Sequence, residues 1–418
     1  MSLWEPLRDG CFHGRKYKER LVFALNREIM KKELFENIEK YAPAMAAMSD
    51  HFAAEPEISG QEFKTSAELV RVLKEAGFQV EYPACGLPTA FVARCGKGKG
   101  PKVAILTEYD ALPGIGHGCG HNLHGSMSVL TALALYPVLK EADCELLVAG
   151  TPAEETDGAK VEMSAKGLFD GCDFAMMIHS CGGKNFSYTR TLAMDAIEFT
   201  FTGQTSHAAA SPWEGRNALN ALRLFFDAVD LLRQHVHPEV RMHGIVAEGG
   251  KAPNIVPDRA VGRFYFRDTK RARLDGLLEK VYNCARGAAL CTETEVSWRF
   301  FESSFRDLLP NGPAEALAEK YFRAEGLETA APEPMGSSDV GDVSYVCPAI
   351  HPEIDIAGHH ITGHTRELAE ATVLPYAHEA MKKGARIMGC CLLEVLTEPA
   401  LRESMWKAWH EELKASKE

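Results

Sequence analysis

Residues 102–135 read KVAILTEYDALPGIGHGCGHNLHGSMSVLTALAL. An apolar run opens the stretch and is a predicted strand over 102–109. A glycine-rich loop follows, and the spacing then predicts a helix over 124–140. The loop between them, 107–125, carries three histidines, a cysteine, a glutamate and an aspartate. Outward from it the alternation continues. Helices are predicted over 31–57 and 64–78, the second closed by Gly77, and short apolar runs over 89–95 and 144–151. Strands alternating with helices predict an α/β fold built on a mixed, partly parallel sheet. In such sheets ligands bind beyond the carboxyl ends of strands. Three such ends carry polar clusters here: the loop itself, "TPAEETDGAK" (151–160) and "MMIHSCGG" (176–183).

From 193 to 303 the order changes to strand, helix, strand, strand, helix, strand. That is the ferredoxin-like order, and it predicts a compact α+β domain inserted into the first. The catalytic domain is then 31–192 with 304–418, closed by a helix from about 367. Residues 1–30 form an N-terminal extension of unknown role. The basic run "GKGKGPK" (96–102) is predicted to be a solvated hairpin turn.

The chain has 418 residues, 46% hydrophobic and 25% charged, and a net charge of −12. At about 150 residues per domain this length suits two or three domains. The acidic balance argues against nucleic acid as a partner. The longest nearly apolar run, 126–139, is too short to span a membrane. The first twenty residues put charges where a signal peptide needs an apolar stretch. Twelve cysteines without a C-x-x-C pair read as cytosolic thiols, so a cytoplasmic protein is expected.

Cys119 and His121 are good ligands for zinc-like ions, and Gly118 and Gly120 let the loop turn both toward one point. Glu154 and Glu155 follow an apolar strand. Neighbouring extended side chains diverge, so one can bind a metal while the other, as general base, faces a metal-bound water. Each feature alone has an ordinary reading as a buried thiol, a solvated glutamate or a core histidine. His179 and His364 each follow a strand-like run, and His359 and His360 are rivals of His364.

The order of these features is what carries information. "EPEIS", "EYDALPGIGHGCGHN", "TPAEE", "SHAAASPWEGRNAL", "APNIVPD" and "GSSDVGDVSY" follow one another over residues 35 to 400. The set resembles the M20 family of metallo-amidohydrolases and peptidases. It is most similar to the Cys-Gly-His branch, which includes aminobenzoyl-glutamate hydrolases, N-acyl-amino-acid hydrolases and related dipeptidases. The combination of "EYDALPGIGHGCGHN" with "PAIHPEIDIAG" leans toward the aminobenzoyl-glutamate hydrolase and dipeptidase side rather than the plant auxin-conjugate side.

The resemblance implies a di-metal hydrolase with an inserted lid and dimerisation domain. Cys119, His121, Glu155, His179 and His364 match the ligands of two divalent ions (Zn2+ or Mn2+), with Cys119 as the bridge. Glu154 matches the general base and Asp110 the aspartate that orients a ligand or the base. His207 matches the oxyanion-stabilising histidine, which dimeric members supply to the partner's site. Asn254 and Arg267 match positions that hold the substrate carboxylate, work that suits an arginine fork. The implied activity is hydrolysis of the amide bond in a small N-acyl or N-aminoacyl amino acid or dipeptide, by a homodimer.

Two departures stand out. Glu108 occupies the place of a histidine ligand common in the family, and is either a ligand or a neighbour. Asn122 replaces an aspartate, which implies less charge around the metal. His117 and His124 are expected to hydrogen-bond near the loop rather than to bind metal. Two other readings are a cysteine-nucleophile hydrolase using Cys119, and a metal- or ligand-binding protein without catalysis.

Overall fold

The structure is a computed structural model that describes residues 10–332 and 336–417. Its first element is one helix, Gly10–Ala54. Part of the expected 1–30 extension is therefore continuous with the first helix, and residues 1–9 lie outside the described residues. Leu34, Ile38, Met45 and Phe52 of this helix are buried in a core shared with Leu123, Met127 and Leu130 of the helix His121–Leu139. Asn37 donates to the Ala134 carbonyl at 3.1 Å.

Among the described residues twelve strands follow in chain order: β1 (Gln79–Glu81), β2 (Phe91–Cys95), β3 (Lys102–Thr107), β4 (Glu145–Gly150), β5 (Phe174–Met176), β6 (His179–Cys181), β7 (Ala193–Thr202), β8 (Arg241–Glu248), β9 (Arg259–Asp268), β10 (Glu295–Phe300), β11 (Ala349–Ile350) and β12 (Glu353–Asp355). A six-stranded sheet has the order β1-β2-β4-β3-β5-β11. β3, β4, β5 and β11 run parallel, while β2 is antiparallel to both β1 and β4. The central strands are buried on both faces. Val103, Ile105, Leu146 and Val148 enter one core, and Ala104, Leu106, Leu147 and Ala149 the other. Double burial makes these strands read as near-continuous apolar runs.

The expected hairpin at 96–102 is not one. β4 lies between β2 and β3, so this exposed connection crosses over a strand. Lys97 and Gly98 instead donate to Ala142 and Cys144, just before β4. The expected last helix is three, Arg366–Ala371, Pro375–Thr397 and Pro399–Ala415. Proline opens each of the last two, where its fixed φ and missing N–H suit a first turn.

Between β6 and the 312–324 helix the chain forms a second unit. Its sheet has the order β10-β7-β9-β8, antiparallel throughout, with helices Ala218–Leu232 and Arg271–Cys291. Phe199, Phe225, Phe264 and Phe266 fill the core between sheet and helices. This is the ferredoxin-like arrangement. Among the described residues no helix is long and apolar enough to cross a membrane.

Candidate active site

β3 ends at Thr107 beside β4, and the next residues alternate sides. Tyr109 turns into the core, stacked on Phe91, and its hydroxyl donates to the Thr89 carbonyl at 2.7 Å. That anchor sends Glu108 and Asp110 the other way. Asp110 Oδ1 lies 2.9 Å from His121 Nδ1. Its Oδ2 accepts from the Ser59 hydroxyl at 2.7 Å and the Glu155 N–H at 3.0 Å. One carboxylate thus orients a histidine and fixes the loop that carries both glutamates.

Gly120 has φ +80, and a Cβ there would lie 2.6 Å from Ser180 Cβ. The left-handed turn lets the chain pass against β6 and start its helix at His121. Across the gap, His179 Nδ1 lies 2.7 Å from the Ser180 carbonyl, so that nitrogen carries the hydrogen and Nε2 is left free. Nε2 is 3.5 Å from Cys119 Sγ. His364 has φ +60, and its N–H donates to the Gly118 carbonyl at 2.8 Å. Its Nε2 is 3.4 Å from Glu155 Oε2. A non-glycine residue held at positive φ is strained, and such strain concentrates at functional sites.

The donor chemistry fits divalent cations. His121 Nε2 and Glu155 Oε1 are buried, 3.9 Å apart, and neither has a hydrogen-bond partner. Cys119, Glu155 and His364 bring one donor atom each to within 4.8 Å of one another, and so do His121, Glu154 and Glu155. Sulfur, imidazole and carboxylate together are the donor set of zinc-like ions. Burial and the Glu155 carboxylate push the Cys119 thiol well up, and burial with Glu108 and Glu155 pushes Glu154 well up. A cation between them would reverse both shifts. Against the cost of burial, Asp110 holds His121 well above the ordinary histidine range.

Glu108 is engaged on both oxygens. Lys160 Nζ donates to Oε1 at 2.6 Å, and His124 Nε2 lies 3.1 Å from Oε2. Lys160 also donates to Asp339 Oδ1 at 2.6 Å. All three side chains are fully buried. Burial opposes the charge on Glu108, but Lys160 and His124 hold it well below the usual carboxylate range. Burial holds His124 down to about 4, so its ring is neutral. Lys160 and Asp339 are neighbours of the site that sequence reasoning gave no role, although both lie within quoted stretches, "TPAEETDGAK" and "GSSDVGDVSY". Asn122 points away from the donors: its amide donates to Ser49 and Thr372. Its effect is therefore on packing rather than on charge at the metal. His117 is buried and belongs to none of the donor groups.

The predicted residues Asp110, Cys119, His121, Glu154, Glu155, His179 and His364 lie together. Cys119, Glu154, Glu155, His179 and His364 line a cavity of about 910 Å³ that Arg267 enters from β9. Arg267 lies 5.5 Å over the Tyr265 ring, and its Nε has no partner. His207 and Asn254 do not line this cavity. They are exposed on the ferredoxin-like unit, where Ala208 donates to the Asn254 carbonyl at 3.0 Å.

A family model described as a peptidase dimerisation domain (M20) matches residues 194–290. The chain is 34% identical to a mouse Xaa-Arg dipeptidase, over 92% of this chain and 93% of the relative. It is also 34% identical to a p-aminobenzoyl-glutamate hydrolase component from Escherichia coli, over 64% of this chain and 60% of the relative. The crystal structure of a dinuclear metal-binding peptidase of the M20 family from Bacillus subtilis superposes with a TM-score of 0.63 at 19% identity, covering 86% of this chain and 99% of that one. Donor geometry, fold and near full-length identity agree: the chain belongs to the M20 family of metallo-amidohydrolases and peptidases.

Proposed function

We propose that this amide hydrolase cleaves a dipeptide or a small N-acyl or N-aminoacyl amino acid with a free carboxylate. The reading rests above all on Glu154, a half-buried carboxylate within ligand distance of His121 and Glu155. Cys119, His121, Glu155, His179 and His364 would hold two divalent ions, zinc or manganese. Bound there, the ions supply Lewis-acid activation of water and of the scissile carbonyl. Glu154 takes the proton from the attacking water and returns it to the departing amide nitrogen. Asp110 keeps the His121 ring in the tautomer that leaves Nε2 free. Arg267, whose Nε has no partner, receives the substrate carboxylate through its guanidinium.

The catalytic domain is 31–192 with 304–418, and 193–303 is a lid through which two chains pair. His207 of the partner subunit then meets the developing oxyanion, and Asn254 acts at the same shared edge. The exposure of both residues here supports that reading. The protein works in the cytoplasm. The relatives' names, a dipeptidase and an aminobenzoyl-glutamate hydrolase, support the substrate class.

The Cys119–His179 contact at 3.5 Å favours one rival, a cysteine nucleophile. Its chemistry is poor, because reactive thiols sit in electropositive surroundings and Cys119 faces two glutamates. Chelation separates the readings. Activity on dipeptides, aminobenzoyl-glutamate and hippurate is expected to vanish with chelator and return with zinc or manganese. Activity that survives chelation and falls on thiol alkylation would overturn the metal reading.

A further inference from the structure

β12 pairs in parallel with β6, with Glu353 opposite His179. Just before it, the Pro352 carbonyl accepts the His179 N–H at 2.8 Å. The His351 ring packs edge-on to His179, with centroids 5.3 Å apart. His351 and Glu353 therefore flank a metal-site histidine from the neighbouring strand. Both line the same cavity, and they are only 6% and 8% exposed.

His351 lacks the partners that burial demands, and Glu353 lacks a cation. Both ring nitrogens of His351 lack a hydrogen-bond partner. Among the described residues, no lysine, arginine or histidine nitrogen lies within 4.0 Å of the Glu353 carboxylate. Its side-chain hydrogen bond is to the neutral thiol of Cys181, which also lies 2.9 Å from the Lys184 carbonyl. An orphaned buried polar group is costly, and a buried carboxylate without a cation is too. Such groups persist where a ligand relieves them. His351 joins none of the metal-donor groups, so metal binding does not account for it. The other carboxylate of the wall outside the metal cluster, Glu302, already accepts from the Tyr265 hydroxyl at 2.7 Å.

We propose that Glu353 and His351 form a cation subsite, in which the carboxylate binds an ammonium or guanidinium of the substrate and the imidazole accepts one of its N–H groups. This deepens the amide-hydrolase reading and rests on it. The cation has two possible sources, the N-terminal ammonium of a dipeptide or a basic side chain on the amino acid released. Either way Glu353 and His351 are specificity residues, and Arg267 holds the carboxylate elsewhere in the cavity.

Three matched substrates test this with the metal-loaded enzyme: alanyl-lysine, alanyl-norleucine and N-propionyl-norleucine. A side-chain cation shows as a kcat/KM ratio of alanyl-lysine to alanyl-norleucine of roughly ten- to hundredfold. An N-terminal cation shows as a similar ratio of alanyl-norleucine to propionyl-norleucine. In Glu353→Gln that ratio is expected to fall toward one, because the cationic substrate loses more than its uncharged counterpart. His351→Gln lowers the same ratio by a smaller factor. Equal rates on all three substrates in the wild type overturn the subsite, whether or not a variant folds. A uniform loss on all three in Glu353→Gln also overturns it, since a structural role acts that way. No turnover of any of the three overturns the hydrolase reading and the subsite with it, a result distinct from equal rates.

Discussion

Lys160 carries more of the site than its side chain suggests. It is the cation shared by two fully buried carboxylates, Glu108 and Asp339. Removing one member of a buried charge cluster leaves the others uncompensated, at about 3–5 kcal/mol. Lys160→Met is expected to lose that much stability in urea denaturation, together with activity. A second residue reports through pH. Burial pushes the Asp342 carboxyl up to about 7, although it accepts the Arg306 N–H. The folded chain then holds that proton more tightly than the unfolded chain does. Stability from this group is present below about pH 4 and lost as pH rises toward 7. Asp342→Asn removes the loss, so its stability relative to wild type should rise across that window by a few kcal/mol. Urea melts of both proteins at about pH 5 and about pH 8 read the difference. At this scale the sequence announces Cys119, His121, Glu154 and Glu155, since they crowd two strand ends. It does not announce Lys160 and Asp339, which lie 179 residues apart, because a lone lysine just past a loop glycine reads as solvated.

The metal loop works because its backbone fits between two elements. Gly120 combines φ +80 with a blocked Cβ position against β6. Gly120→Ala is expected to cost about 1–3 kcal/mol and to lower bound metal, read by thermal unfolding and elemental analysis. Gly114 has φ +71 but nothing within 4 Å of its Cβ position, so alanine there should cost only about 1 kcal/mol and leave metal binding intact. The strands and helices themselves are legible because a doubly buried strand is an apolar run and an amphipathic helix has a period. Strand adjacency is not. The two strands joined by "GKGKGPK" look like hairpin partners until β4, far along the chain from β2, inserts between them. The reach of the first helix back to Gly10 was equally hidden, because those residues carry little apolar periodicity.

At the scale of the whole molecule, the proposed site draws on two chains. His207 and Asn254 lie on the exposed face of the ferredoxin-like unit, away from the donor cluster of their own chain. If each chain supplies His207 to the other, Glu154→Gln and His207→Ala are each inactive alone but complementary. A randomly mixed dimer population should recover about a quarter of wild-type sites, since half the dimers are mixed and each has one complete site. No recovery would place His207 outside the shared site. The central claim is a metal site in which Glu154 moves the proton without holding the metal in place. Elemental analysis of the wild type and Glu154→Ala, paired with hydrolysis of aminobenzoyl-glutamate and dipeptides, tests it most directly. Two divalent ions per chain in both proteins, with turnover only in the wild type, is the result expected. Full activity in Glu154→Ala, or an active wild type without metal, would contradict it.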